Sequence, residues 1–131
     1  MRGERKISED EKRARDFVVG ASVLKDLKYI DRHTKLPKTK LGMVIHVNPK
    51  AISRWESYEV KNIKPEHAYT VKRLKEIVQL GLKVFNALGF WEFFENPQPV
   101  FGNKSALDML MIGEFDRVES VLASMYEGAS L

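Results

Sequence analysis

The sequence contains no cysteine. Disulfide staples and thiolate metal sites are therefore excluded, as suits a reducing compartment, and the cytoplasm is the expected location. No apolar run reaches the length that crosses a bilayer, so no membrane partner is expected. The first fifteen residues are almost wholly polar, unlike a secretory signal. Glycines do not gather into a phosphate-cradling loop; Gly102 and Gly113 read as turn residues. The three histidines, His33, His46 and His67, are scattered and form no ligand pair, so no metal is expected. Acidic neighbours such as Asp108 with Glu114, or Glu92 with Glu95, would need a dry cleft for acid–base work. A solvated helix face is the simpler reading. No catalytic residue, no cofactor and no enzymatic activity are expected. Alternating strand patterns are missing as well, which leaves an all-α fold class.

What is present is charge polarity. The 131 residues carry a net charge of +4, with 44% hydrophobic residues. Residues 1–75 hold 19 Lys/Arg against 10 Asp/Glu, net +9; residues 76–131 hold 3 against 8, net −5. A basic half attracts phosphates and an acidic half repels them, so two surfaces with different partners are implied. The expected division is 1–75 and 76–131.

Helix punctuation is dense. Ser8-Glu9-Asp10-Glu11 is a capping-box pattern. Behind it Phe17, Ala21 and Leu24 form an apolar stripe, which Val23, Leu27 and Ile30 continue at spacings of four and three. The pattern fades at Asp31-Arg32-His33-Thr34, where a loop is expected. Pro37 suits the first turn of a second helix, with Leu41, Val44 and Ile45 on its inner face. Asn48 is a good N-cap and Pro49 a good first residue for a third, with Ile52 and Trp55 inward. Residues 59–64 read as a connection. Pro65 then opens the longest helical pattern, a spine with stripes through Val71, Leu74, Val78 and Phe85 and through Ile77, Leu80, Val84, Ala87 and Trp91. Gly89 is expected to end or kink it. Asn96-Pro97-Gln98-Pro99 must be a loop. Ser105-Ala106-Leu107-Asp108 is a second capping box, Gly113 breaks its helix, and Glu114 and Asp116 favour the start of a last one. That last helix turns Val118, Val121, Leu122 and Met125 inward.

Two short helices separated by about three residues have the helix-turn-helix shape. Residues 37–57 read PKTKLGMVIHVNPKAISRWES. The second helix of such a pair lays its N-terminal residues in the major groove. With Leu41, Ile45, Val47, Ile52 and Trp55 locking the pair, Asn48, Lys50, Ser53 and Arg54 face outward. Arg54 suits guanine O6 and N7, and Lys50 suits a base or a phosphate. Lys38, Thr39 and Lys40 stand where the first helix would meet the backbone. This segment resembles Xre-type DNA-binding domains. Leu41-Gly42 stands for their Leu-Ala pair, His46-Val47 occupies the turn, and Ile52-Ser53-Arg54-Trp55-Glu56 matches their recognition helix. Gly42 replaces the small Ala, a harmless exchange by size, and His46 replaces the usual Gly. A turn position with positive φ strains a His more than a Gly.

The acidic half carries four aromatics within residues 90–94. That is too many for one stripe, so the segment is either buried on all sides or partly turned to a partner. Residues 85–128 resemble the toxin-binding domain of the Xre/MbcA/ParS antitoxin family. The resemblance rests on Phe93-Phe94, Asn96-Pro97, Phe101-Gly102-Asn103, Ser105-Ala106-Leu107-Asp108-Met109-Leu110, and Val118 through Val121-Leu122 to Gly128. It implies a type II antitoxin that occludes a RES-type toxin, one that consumes NAD or transfers ADP-ribose. It also implies a homodimer that binds operator DNA through a helix-turn-helix domain, residues 1–75, and represses its own operon, with residues 76–131 as the toxin-binding and dimerisation domain. The toxin-binding residues it implies are Phe90, Trp91, Phe94, Tyr126, Glu127, Gly128 and Leu131. The alternative is a stand-alone helix-turn-helix transcription regulator whose C-terminal half serves only dimerisation.

Overall fold

The computed structural model describes residues 7–57 and 63–128. Among them seven α-helices and one short 3-10 helix follow in order. These are α1 (Glu9–His33), α2 (Lys38–Ile45), α3 (Pro49–Glu56), α4 (Pro65–Val84) and α5 (Ala87–Glu95). A 3-10 turn (Pro99–Phe101), α6 (Ala106–Met111) and α7 (Phe115–Tyr126) complete the series. The fold is all-α, and one isolated bridge between Gln98 and Lys104 closes the loop around the 3-10 turn.

Each start signal acts through a specific bond. The Ser8 hydroxyl accepts from the Glu11 amide at 3.1 Å. Asn48 accepts from the Lys50 amide at 2.8 Å, with Pro49 next in the first turn. Ser105 accepts from the Asp108 amide at 2.9 Å, and Asp108 in return accepts from the Ser105 amide at 3.2 Å. These bonds satisfy amides that have no partner within the helix. At the other end of α6, Gly113 takes a φ of 86°, which ends the helix without Cβ strain.

Three boundaries differ from expectation. The spine does not run on to Trp91. Phe85 is extended after Val84, and the Asn86 side chain caps a new helix by accepting from the Gly89 amide at 2.7 Å. Gly89 therefore lies in the first turn of α5 rather than ending anything. Helix α1 continues through Asp31, Arg32 and His33, where basic residues in the last turn favour its C-terminus. It stops at Thr34, whose hydroxyl and amide both donate to the Ile30 carbonyl. Pro37 precedes α2 as its N-cap instead of entering the first turn. The connection expected at residues 59–64 lies mostly outside the described residues.

One hydrophobic cluster takes side chains from every helix. Ile30, Val44, Ile52, Leu74, Ile77, Phe94, Leu110 and Leu122 are all sealed within it. Helix α4 is the spine: it packs along α1 on one side and α7 on the other. The boundary at 75/76 suggested by charge falls inside this helix. Arg73 makes the link to α7 polar as well as apolar. Its guanidinium lies 5.4 Å from the centre of the Phe115 ring, 3.0 Å from Asp116 and 3.4 Å from Glu119. Lys75 reaches Asp26, a buried carboxylate of α1, at 3.5 Å.

Candidate nucleic-acid and partner surfaces

The α2–α3 pair is built around a tight turn. His46 caps α2 in the left-handed region, φ 65° and ψ 45°, and its amide donates to the Gly42 carbonyl. Histidine adopts this conformation at some cost, tolerated where packing fixes the turn. The neighbours here are Val44 and Ile45 on one side and Ile52 on the other, all buried. Gly42 is not the harmless exchange that size alone implies. A Cβ added there would stand 2.6 Å from the Val47 carbonyl oxygen. The backbone of this turn approaches α2 so closely that only a glycine fits without a shift.

With Leu41, Ile45, Ile52 and Trp55 buried and Val47 packed against them, the polar side of the pair is left to solvent. Lys38, Thr39, Lys40, Asn48, Lys50, Ser53 and Arg54 are all exposed. Two of them have structural duties. The Asn48 oxygen is engaged in its cap. Lys38 bridges the pair through Glu56 at 2.8 Å. That hydrogen bond, and then the charge of Glu56, raise the Lys38 pKa above the ordinary lysine value. Thr39, Lys40, Lys50, Ser53 and Arg54 remain as outward donors. The arrangement can contact phosphates along α2 and base edges from α3.

The acidic half divides the other candidates. Phe90 and Phe94 are 1% and 0% exposed, so the partner role implied for them is corrected: they are core residues. The cause is Gly81 of α4, which is buried and sits under the Phe90 ring. A Cβ at that position would overlap two carbons of the ring. The glycine lets α5 approach α4 and draws Phe90 inward. Phe90 then packs at a tilt against Phe94 at 5.3 Å between ring centres, and Phe93 bridges Phe85 and Phe101 at 5.2 Å and 5.8 Å. Trp91 is half-buried, its ring 6.0 Å from that of Phe94. Tyr126 is 59% exposed, and Glu127 and Gly128 are exposed beside it at the end of α7. Leu131 lies outside the described residues.

Sequence reasoning missed two exposed apolar residues of this half, Leu88 at 68% and Ile112 at 61%. Leu88 was hidden because the spine was read as continuous through it. Ile112 stands directly before the helix-breaking Gly113, a position that a core stripe does not reach. Both are candidates for contact with another protein.

No family model matches the chain, and no curated protein matches it. Among solved structures, a chain of the M. tuberculosis MbcT–MbcA toxin–antitoxin complex has the same fold. The TM-score is 0.68 at 18% identity, over 87% of this chain and 98% of that one. The likeness is one of fold, shared across nearly the whole of the matched chain.

Proposed function

We infer that this chain is the antitoxin of a toxin–antitoxin pair. The observation that carries the reading is the shared fold with a chain of the MbcT–MbcA complex across almost its full length. A likeness limited to α2 and α3 would favour any helix-turn-helix regulator; this one covers 87% of the chain. Partner contact is assigned to the exposed apolar and acidic side chains of residues 76–131, namely Leu88, the open face of Trp91, Ile112, Tyr126 and Glu127, and to the exposed backbone of Gly128. The partner class is a RES-type toxin that consumes NAD or transfers ADP-ribose. An acidic surface suits a protein with a basic nucleotide pocket, because complementary charge speeds encounter and rejects wrong partners.

Operator binding and repression of its own operon are assigned to α2 and α3. The support is the outward set of Lys40, Lys50, Ser53 and Arg54 on a locked helix pair. Arg54 would read guanine, and Lys40 and Lys50 would neutralise phosphates. A single eight-residue helix reads little sequence, so a dimer is part of the proposal. The alternative of a stand-alone regulator shares the DNA surface and differs in the partner.

The test is co-expression with the product of the adjacent gene. The full chain should protect cells from that product and co-purify with it. Absence of both protection and co-purification would leave the stand-alone regulator as the better reading.

A further inference from the structure

Five of the described residues take a positive φ. Three are glycines and one is Asn103, residue types that bear this conformation at little cost. The fifth is His46, at φ 65°. The turn between α2 and α3 uses only the backbone of this residue. Its amide and that of Val47 both donate to the Gly42 carbonyl, which a glycine would allow without strain. The side chain does nothing for the fold. It is exposed, and no hydrogen bond, ion pair or ring contact holds it among the described residues. Strain with no such return within the chain gathers where a side chain meets a ligand.

The surroundings of His46 say which ligand. Thr39, Met43 and His46 follow one another at spacings of four and three, one face of α2. That face is exposed throughout, and Met43 is left 59% open to water. It begins beside Lys40 and ends two residues before Asn48, the cap of α3. His46 thus follows Lys40 along this face and precedes Lys50, the two cations assigned above to phosphates. The one carboxylate on α2 and α3, Glu56, is held by Lys38 at 2.8 Å, so no acid of the pair competes for an imidazole N–H.

We propose that His46 contacts a DNA phosphate between those met by Lys40 and Lys50, its imidazole N–H donating to a phosphate oxygen. The turn bears a strained residue because that residue brings a donor that glycine lacks. The contact is to the backbone, so it adds affinity and fixes the placement of α3 without reading sequence. The inference rests on the DNA-binding reading above and deepens it.

The test titrates the full chain with two duplexes, the segment upstream of its own gene and a scrambled sequence of equal length, at low salt where both are bound. His46→Gly should weaken binding about fivefold on both, the effect of one hydrogen bond. Its denaturant midpoint should equal or exceed that of the wild type, because the turn is relaxed. His46→Asn keeps an N–H donor and tolerates positive φ, so it should recover most of the loss. His46→Asp has nearly the same shape without the donor and should not. Wild-type affinity in His46→Gly would overturn the contact and leave the DNA-binding reading standing. So would equal binding by the Asn and Asp variants, which a purely structural residue would give. A loss confined to the upstream duplex would likewise overturn it, since that marks a base contact. A wild type that binds neither duplex would overturn the DNA-binding reading itself, and this contact with it.

Discussion

Helices α3 and α5 are similar in length, and each holds side chains that pattern alone marks as functional. They use those side chains in opposite ways. In α3 the inner face is fully supplied by Ile52 and Trp55, so Lys50, Ser53 and Arg54 have no place in the core and stay in water. In α5 Phe90, Phe93 and Phe94 all find cover, because α4, α6 and the 3-10 turn close around them. An aromatic cluster becomes a surface only if the molecule runs out of walls. Here Gly81 provides the last wall, by leaving space for a ring where any other residue would exclude it.

The contrast can be broken at four points, taken from the largest effect to the smallest. Phe90→Ala should cost about 3–5 kcal/mol of folding stability, the usual loss for a fully buried Phe. Denaturant unfolding measures it, and a loss near zero would return Phe90 to the surface. Gly42→Ala should cost about 1–3 kcal/mol, because the new methyl presses on the Val47 carbonyl and the turn must open. The same variant should weaken operator binding through the displaced α3. Arg54→Ala should leave thermal unfolding within about 0.5 kcal/mol of wild type. It should nevertheless lose about 1–3 kcal/mol of operator affinity and relax discrimination at one base. Competition binding against substituted operators reads both quantities.

The smallest effect belongs to Glu56→Gln, which removes the partner of Lys38. The folded-state pKa of Lys38 lies above its ordinary value, so the pair stabilises fully below that value. Its contribution fades as pH rises through the higher, folded-state pKa. The melting temperature of Glu56→Gln should therefore fall slightly below wild type at neutral pH, and the gap should close in strong alkali. A gap that widened with alkali would mean that Lys38 is not the group responsible.

How much of this was legible in the sequence follows the range of each signal. Caps are local: Ser8, Asn48 and Ser105 each bond to an amide two or three residues away, and each was readable from its neighbours. The helix pair from 38 to 56 was legible for the same reason, down to the left-handed turn at His46. What failed was the outcome of competing signals and of packing between elements. The break at Phe85 depends on Asn86 outcompeting a helical pattern that continues on both sides. The burial of Phe90 depends on a glycine nine residues earlier that faces it across two helices. The close approach at Gly42 depends on a carbonyl beyond the turn. Charge polarity was visible, but its partial cancellation by Arg73 against Asp116 and Glu119 was not, since 46 residues separate Arg73 from Glu119.

In the proposed function, one small helical body presents two separate surfaces, α2–α3 to DNA and the exposed positions of residues 76–131 to a protein. Amide hydrogen exchange on the full chain tests it most directly, with operator DNA and with the adjacent gene's product added in turn. DNA should slow exchange in α2 and α3 and leave α5 to α7 as they were, while the protein partner should slow exchange around Leu88, Ile112 and the end of α7. Protection of the same segment by both ligands would contradict the account.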